Sequence, residues 1–285
     1  MIVSTTTDLA PVEDHPAKFS ASVLDQLQAC IDAEDQRQVR PLAIFDPFAG
    51  TGRVHQLASV HGLRTVGVEL EPEWAACHPR TVCGNALHLP FADGALDGMV
   101  TSPCYGNRMA DAHQANDPCK KCTGGWVPAP GGERAQCKAC KGSGLSKRNT
   151  YTHRLRVATK DPARSLHADN AGAMRWGPRY RAFHERAYRE ALRCLRRPAD
   201  MDDPTGGFVL VNISNHQATK KKGGPTVEHR VVEWTMNVFL LAGCYLVGAY
   251  PVGTRRHGEG ANRDTRAEAE FVLHFRLPPG SPTLV

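Results

Sequence analysis

The apolar positions of the chain follow two spacings, short continuous runs and stripes at helical intervals. From Phe19 onward, Val23, Leu24, Leu27 and Ile31 recur at helical spacing and predict a first amphipathic helix. Short apolar runs predict strands at 42–45, 65–68, 81–83, 96–101 and 208–213, with helices at 53–61, 72–78, 178–197 and 226–242 and a closing strand pair at 245–252 and 271–277. Strands that alternate with helices in this way favour βαβ units and a parallel sheet.

The periodic pattern stops in the middle of the chain. Residues 106–175 show no convincing period and contain two cysteine pairs, many glycines and a basic run. We therefore expect one α/β domain split by an insertion, with its N-terminal half at 1–105, the insertion at 106–175 and the C-terminal half at 176–285.

Composition narrows the class of protein. Hydrophobic residues make up 41% of the 285 positions, which is enough for a sizeable core. No export signal and no 18-residue apolar run occurs, so we expect a cytoplasmic protein without a membrane span. The net charge is +6, and arginines concentrate at 147–156 and 175–197. Such segments suit a phosphate backbone, although a solvated surface is an equally good interpretation.

Polar and glycine residues directly follow the first three predicted strands. Asp46-Pro-Phe-Ala-Gly-Thr-Gly52 follows the first strand, Glu69 ends the second and Asn85 comes just after the third. Glycines let the backbone approach a bulky ligand, and a carboxylate at this edge of the sheet can accept hydrogen bonds from ribose hydroxyls. The order favours a nucleoside-like cofactor, although the glycine loop alone would also fit a nicotinamide site or a plain turn.

A second polar loop, Thr101-Ser-Pro-Cys-Tyr-Gly-Asn-Arg108, follows the fourth predicted strand. The two loops together resemble those of the amino-directed, S-adenosylmethionine-dependent nucleic-acid methyltransferases, whose signatures are D-P-F-x-G-x-G and S-P-P-Y. Cys104 departs from that pattern, because the family has a second proline there.

The resemblance implies a fold, a cofactor and a reaction. The fold is a Rossmann-like, seven-stranded class I methyltransferase sheet with helices on both faces and an antiparallel last pair of strands. The cofactor is S-adenosylmethionine, and its implied contacts are Lys18, Phe19, Asp46, Pro47, Phe48, Ala49, Gly50, Gly52, Glu69, Asn85 and Ala86. The reaction methylates N6 of adenine or N4 of cytosine, with nucleic acid as the partner and DNA preferred to RNA.

The implied chemistry assigns roles to the second loop. An exocyclic amino group is a poor nucleophile because its lone pair is delocalised into the ring. Ser102 Oγ and the Pro103 carbonyl would hold its two protons and direct the lone pair, while Tyr105 would stack on a base flipped out of its helix.

Three alternatives remain open at this point. An RNA base methyltransferase would share these motifs, and a non-catalytic nucleic-acid binder could retain them in degenerate form. Cytosine-C5 methyltransferases carry Pro-Cys in the corresponding loop, where a thiolate such as that of Cys104 attacks the ring. They also need an acid near the fifth strand, and Val211–His216 contains none, so amino-directed transfer is preferred.

Two CxxC pairs predict a metal site in the insertion. Cys119, Cys122, Cys137 and Cys140 have the spacing of a four-thiolate zinc ribbon, and the second pair resembles the C-x-x-C-x-G-x-G repeat of DnaJ-type modules. Disulfides or a redox pair are the competing interpretations. A structural Zn²⁺ is expected, with a role either in substrate recognition or in folding alone; the sequence does not indicate an oligomeric state.

Overall fold

The structure of the protein is a computed structural model. It describes residues 19–36, 41–58, 62–104, 119, 121–140, 142, 144, 155–156, 159–174, 176–200, 203, 205–217, 228–253 and 269–280. Two of the predicted site residues, Lys18 and Tyr105, lie outside these ranges, as do 147–154 of the basic run.

Within these ranges, seven strands form one sheet and four more form two small hairpins. In chain order the strands are β1 Ala43–Asp46, β2 Arg64–Glu69, β3 Thr81–Cys83, β4 Gly98–Thr101, β5 Trp126–Pro128, β6 Arg134–Gln136, β7 Phe208–Ile213, β8 His216–Gln217, β9 Glu228–His229, β10 Tyr245–Gly253 and β11 Ala269–Arg276. The α-helices are α1 Ala21–Asp35, α2 Pro72–Ala75, α3 Pro178–Cys194 and α4 Val231–Leu241, and 3-10 helices span Arg53–Leu57 and Ala171–Ala173.

The large sheet has the strand order β3-β2-β1-β4-β7-β11-β10. The pairs within β3-β2-β1-β4-β7 are all parallel, and β11 is antiparallel to both of its neighbours, β7 and β10. This order, with its antiparallel last strand, is the seven-stranded Rossmann-like sheet of class I methyltransferases, so the predicted fold class is confirmed. The closing strand pair is also confirmed.

Alternate strand residues point to opposite faces of the sheet, and apolar residues on both faces are covered by helices. Phe45 and Met99 belong to a buried cluster with residues of α3 and α4. Ile44 and Val100 belong to a second cluster with α1 and the 3-10 helix after β1. In the described part of the chain, no helix is long and apolar enough to cross a membrane.

Several predicted helices are shorter than their apolar patterns suggest. The pattern at 178–197 predicts three more residues than α3 contains, because the chain turns extended at Leu195 and Arg196 N donates to the Leu96 carbonyl. The helix predicted over 226–242 begins only at Val231, since Glu228–His229 pairs with His216–Gln217 as a short hairpin.

A buried ion cluster joins α1 to β11. Glu34 is almost fully buried, and its carboxylate accepts from the Arg276 guanidinium at 2.5 Å and lies 2.9 Å from His274 Nε2. Burial opposes ionisation of Glu34, but the hydrogen bonds from His274 and Arg276 outweigh it and hold its pKa below the usual range. The cluster therefore ties the first helix to the strand next to β7.

Candidate active site at the carboxyl edge of the sheet

The strand order reverses between β1 and β4, and in open α/β sheets ligands bind at this switch point. β1 ends at Asp46 and β4 ends at Thr101, so the two functional loops predicted from the sequence leave the sheet side by side. Both loops are thus brought to a single crevice.

Asp46 links the two loops. Its Oδ1 accepts from Thr101 Oγ1 at 2.6 Å and from the Phe48 backbone N–H at 2.9 Å. The side chain is only 3% exposed, and burial raises its pKa to about 7 although both hydrogen bonds act in the opposite direction. The structure therefore keeps a carboxylate with no cationic partner of its own at the base of the crevice, among the described residues.

The glycine loop lies tightly against β2. Ala49 N donates to the Val68 carbonyl at 3.0 Å, and a Cβ built at Gly67 would lie 2.7 Å from the Ala49 side chain. Gly52 has φ +82°, and a Cβ there would lie 2.8 Å from the His55 ring. Both positions therefore need glycine, and Pro47, Ala49 and Gly50 are buried in this packing. Phe48 is half-buried against the rings of Phe183 and His184 in α3.

Glu69 holds this loop in place. Its Oε2 accepts from Gly50 N at 2.8 Å, and its Oε1 accepts from Glu71 N at 2.9 Å. Burial raises its pKa to about 7, and the nearby carboxylates of Glu71 and Asp46 add to the rise. The predicted contact with ribose hydroxyls is untested, but the carboxylate does lie at the carboxyl end of β2 beside the glycine loop.

Asn85 lies just beyond β3. Its Oδ1 accepts from Leu87 N at 2.9 Å, and its Nδ2 donates to Asp169 Oδ2 at 3.0 Å. Ala86 is buried beside it, whereas Phe19 belongs to the cluster under α1. The loops after β1, β2 and β3 thus share one edge of the sheet, as the sequence predicts.

Two polar side chains that the sequence did not single out support the second loop: Asn212 contacts it directly, and Glu270 acts through Asn212. Asn212 Nδ2 donates to Ser102 Oγ at 3.3 Å and to Glu270 Oε2 at 2.7 Å. Asn212 is the one polar residue of β7, a strand buried along its whole length, and this contrast could have identified it. Glu270 comes from β11, paired to β7, and nothing near it in sequence indicates the site. Pro103 is buried behind Ser102.

Cys104 packs against apolar side chains on two sides. It lies against an apolar cluster that includes Tyr180 and Phe183, and against a second one formed by Trp74 and Leu155. Its backbone carbonyl accepts from Tyr180 Oη at 2.7 Å. These contacts support the view that a small apolar side chain fills the space that the family gives to proline.

Residues 159–174, here called the strap, cross the edge of the sheet near β2 and β3. Arg164 forms ion pairs with Glu71 at 2.6 Å and Glu73 at 2.7 Å. Glu71 is fully buried, and its Oε1 also accepts from His167 N and Asn170 Nδ2, both at 2.8 Å. The sequence did not predict this anchor, because its partners lie more than 90 positions apart.

The four predicted metal-ligand cysteines converge. Their Sγ atoms all lie within 4.8 Å of one another, with 4.0 Å between Cys119 and Cys137 and 3.5 Å between Cys122 and Cys140. Four sulfurs around Zn²⁺ at the usual bond length lie about 3.8 Å apart, so this donor set fits a tetrahedral zinc ion. The hairpin of β5 and β6 spans the two pairs and exposes 47% of Trp126.

The crevice residues also fit the cofactor that the sequence suggests. S-adenosylmethionine carries a sulfonium and an ammonium group, and its ribose and adenine offer hydrogen-bond donors. Asp46 and Glu69 supply buried carboxylates, and Asn85 with Asp169 supplies polar groups at the next strand. Carboxylates that are costly to ionise in the free protein gain from a bound cation.

Comparison with known proteins gives only distant likenesses. No protein-family profile matches the sequence, and no curated protein does. Among solved structures, an S-adenosylmethionine-dependent methyltransferase from Methanosarcina mazei is 11% identical with a TM-score of 0.45, covering 87% of this chain and 98% of that one. One from Aquifex aeolicus is 10% identical with a TM-score of 0.40, covering 91% and 100%. A putative DNA modification methylase from Thermus thermophilus, complexed with S-adenosyl-L-methionine, is 13% identical with a TM-score of 0.33, covering 68% and 51%.

Proposed function

We propose that this protein is an S-adenosylmethionine-dependent methyltransferase that modifies an exocyclic amino group, N6 of adenine or N4 of cytosine, in DNA. The observation that carries the proposal is the bond from Thr101 to Asp46. It joins the end of β4 to the end of β1, so a cofactor on the glycine loop would lie next to Ser102. When bound, S-adenosylmethionine supplies an electrophilic methyl group on its sulfonium.

The chain's own groups suit the orientation of an amino nucleophile. Ser102 Oγ accepts one hydrogen bond from Asn212, which fixes its rotamer and leaves a lone pair for an amino proton of the substrate. The Pro103 carbonyl would accept the second amino proton. Held by two acceptors, the nitrogen would present its lone pair to the methyl group, so that catalysis comes from orientation and electrostatics.

Asn212 and Glu270 extend this arrangement. Because Asn212 Nδ2 also donates to Glu270 Oε2, the carboxylate fixes the amide in the direction of Ser102. We assign both as positioning residues. Tyr105 keeps its predicted role of stacking on the flipped base.

Cytosine-C5 methylation through Cys104 remains a second candidate for one specific reason. β7 has no acidic residue, but Glu270 of β11 bonds to Asn212 of β7 and would be the acid that this chemistry needs. Against it, Cys104 packs into apolar clusters on two sides. The amino-directed reaction is therefore preferred.

The four-cysteine module completes the proposal. We assign it a structural Zn²⁺ and a role in gripping nucleic acid. Trp126 and Arg134 are exposed on the β5–β6 hairpin, and Lys121 and Lys138 are exposed within the two cysteine pairs. An exposed aromatic ring and exposed cations on one small module suit base stacking and phosphate contact. Zinc content per chain, measured by elemental analysis of purified protein, tests the first assignment.

The deciding experiment is transfer of a labelled methyl group to unmodified DNA and, separately, to RNA, with digested nucleosides resolved by mass spectrometry. N6-methyladenine or N4-methylcytosine from DNA is expected; the same products from RNA alone would assign the RNA polymer instead. Ser102→Ala should abolish the product and Cys104→Ala should largely retain it. A 5-methylcytosine product lost in Cys104→Ala would establish the covalent mechanism, and no transfer to either polymer would overturn the proposal.

A further inference from the structure

The amide of Asn85 is already committed within the protein. In a methyltransferase of this fold, the residue after β3 is the one expected to meet the adenine ring of the cofactor. Here Leu87 N bonds to Asn85 Oδ1, and Asn85 Nδ2 donates to Asp169 Oδ2. Asn85 Oδ1 therefore has one lone pair left, whereas the Asp169 carboxylate beside it still offers a whole oxygen, Oδ1, to a ligand.

Asp169 is held in this position from both sides of the strap. Upstream, Arg164 pairs with Glu71 and Glu73, and the backbone of His167 donates to Glu71. Directly downstream, Asn170 Nδ2 donates to the same Glu71 oxygen. Because the strap is anchored on a buried carboxylate next to β2, Asp169 is fixed over the edge formed by β2 and β3 rather than free to move.

The carboxylate is also open to a ligand. Asp169 is half-buried, and within the described residues its one side-chain hydrogen bond uses Oδ2, which leaves Oδ1 available. A carboxylate oxygen can only accept. The 6-amino group of adenine donates, whereas the 6-oxo group of hypoxanthine can only accept and would face a lone pair.

We propose that Asp169 accepts a hydrogen bond from the 6-amino group of the cofactor's adenine, and so determines the specificity for adenosine. The inference rests on the proposed function, because it takes S-adenosylmethionine as the ligand. It assigns to the strap, a segment outside the two sequence motifs, the base-reading group of the cofactor site. The competing explanation is that Asp169 only orients Asn85.

The experiment compares two ligands that differ at one edge of the base, in the 6-substituent and in the proton that hypoxanthine carries on N1; comparing their ratio between protein variants isolates the part that depends on residue 169. Calorimetry measures the Kd of S-adenosylhomocysteine and of its 6-oxo analogue, S-inosylhomocysteine, for the unchanged protein and for Asp169→Asn. We expect the unchanged protein to prefer the adenosine compound by about 100-fold or more, since a wrongly matched polar group is strongly rejected. Asparagine can rotate its amide to donate to the 6-oxo group, so the preference should fall at least about tenfold.

Asp161→Asn is the matched control. It makes the same change in the same strap, where Asp161 is exposed and its Oδ1 accepts from Ala163 N, a bond that asparagine can keep. It should leave the ligand preference unchanged. Asp169→Ala, which should also reduce the preference, replaces Asp169→Asn if circular dichroism shows that the latter does not fold.

Each remaining outcome has a distinct meaning. An unchanged preference in Asp169→Asn, or equal weakening of both ligands, would overturn the inference and leave Asp169 as a residue that orients Asn85. Failure of the unchanged protein to bind S-adenosylhomocysteine at all would overturn the proposed function, and this inference with it.

Discussion

Replacing Asp46 with asparagine is expected to stabilise the protein above neutral pH and to weaken its binding of a cationic cofactor. Both hydrogen bonds to this side chain, from Thr101 Oγ1 and from Phe48 N, end on the same oxygen, Oδ1. The amide oxygen of asparagine can accept both. The substitution therefore removes a buried negative charge without removing a hydrogen bond.

The expected change in the free energy of unfolding follows from the pKa of Asp46, which burial raises from 3.8 to about 7. A raised pKa means that the folded state holds the proton of Asp46 more tightly than the unfolded state does. The contribution of Asp46 to the free energy of unfolding is therefore full below pH 4 and is lost as the pH rises to 7. A rise of about three units corresponds to about 4 kcal/mol, of which about 3 kcal/mol falls between pH 5 and pH 8. Asparagine should abolish this contribution and gain up to about 4 kcal/mol at pH 8.

Urea unfolding of both proteins at pH 5 and pH 8 measures the effect. We expect the asparagine variant to be the more stable protein at pH 8 and to lose less stability between the two pH values. Its Kd for S-adenosylmethionine should rise at least about tenfold, because an attractive charge near the cation is gone. Equal stability of the two proteins at pH 8, or an unchanged pH dependence, would refute the reasoning.

Asp97→Asn is the matched control for this experiment. Asp97 is also fully buried at the sheet, but its carboxylate lies 3.4 Å from Arg196 Nε and accepts from Ala43 N. Neutralising it removes the partner of a cation, so this variant should be less stable than the unchanged protein. The opposite effects of one substitution at two buried aspartates would isolate the role of the missing cation at Asp46.

Substitutions at Ser102, Cys122 and Arg276 test the second loop, the metal site and the buried ion cluster. Ser102→Ala should lower kcat for methyl transfer at least about 100-fold with an unchanged cofactor Kd; retained turnover would exclude Ser102 from catalysis. Cys122→Ser should reduce bound zinc, from one ion per chain to well below one by elemental analysis, with an unchanged far-ultraviolet spectrum of the sheet. Arg276→Met should cost about 3–5 kcal/mol in urea unfolding at pH 7, because it leaves the buried Glu34 carboxylate without its permanently charged partner. That cost should shrink as the pH falls through the lowered pKa of Glu34, and a cost that does not change with pH would contradict the ion-pair explanation.

The fold could be predicted because its determinants are local. Runs such as Phe208–Ile213 and the helical stripe of α3 show their burial in the identity of successive residues. The predicted ends of helices are wrong where backbone groups from distant parts of the chain form hydrogen bonds with the last residues of the pattern. Leu195 forms an isolated bridge with Leu96, which ends α3 before its apolar pattern does. No property of the residues next to Leu195 reveals that bridge.

The same distinction applies to the candidate site. Asp46, Glu69 and Asn85 could be selected because each follows a buried strand, and parallel strands bring their carboxyl ends to one edge. Glu270 and Asp169 could not, since each acts through a partner 58 or 84 positions away in the chain. Predicting them requires the strand order and the path of the strap.

Contacts that could not be predicted from the sequence change how the predicted site residues are interpreted. Glu69 alone would be assigned to a ribose, yet both of its oxygens hold backbone N–H groups of the two loops beside it. Ser102 alone would be a free acceptor, yet Asn212 already donates to it. Because Asp46, Asn85 and Ser102 are each held by a side chain from another strand or from the strap, these three groups are positioned before any ligand binds, which lowers the ordering cost of binding. Substitutions at Asn212 and Asp169 should therefore affect turnover and ligand selectivity more than they affect the stability of the sheet.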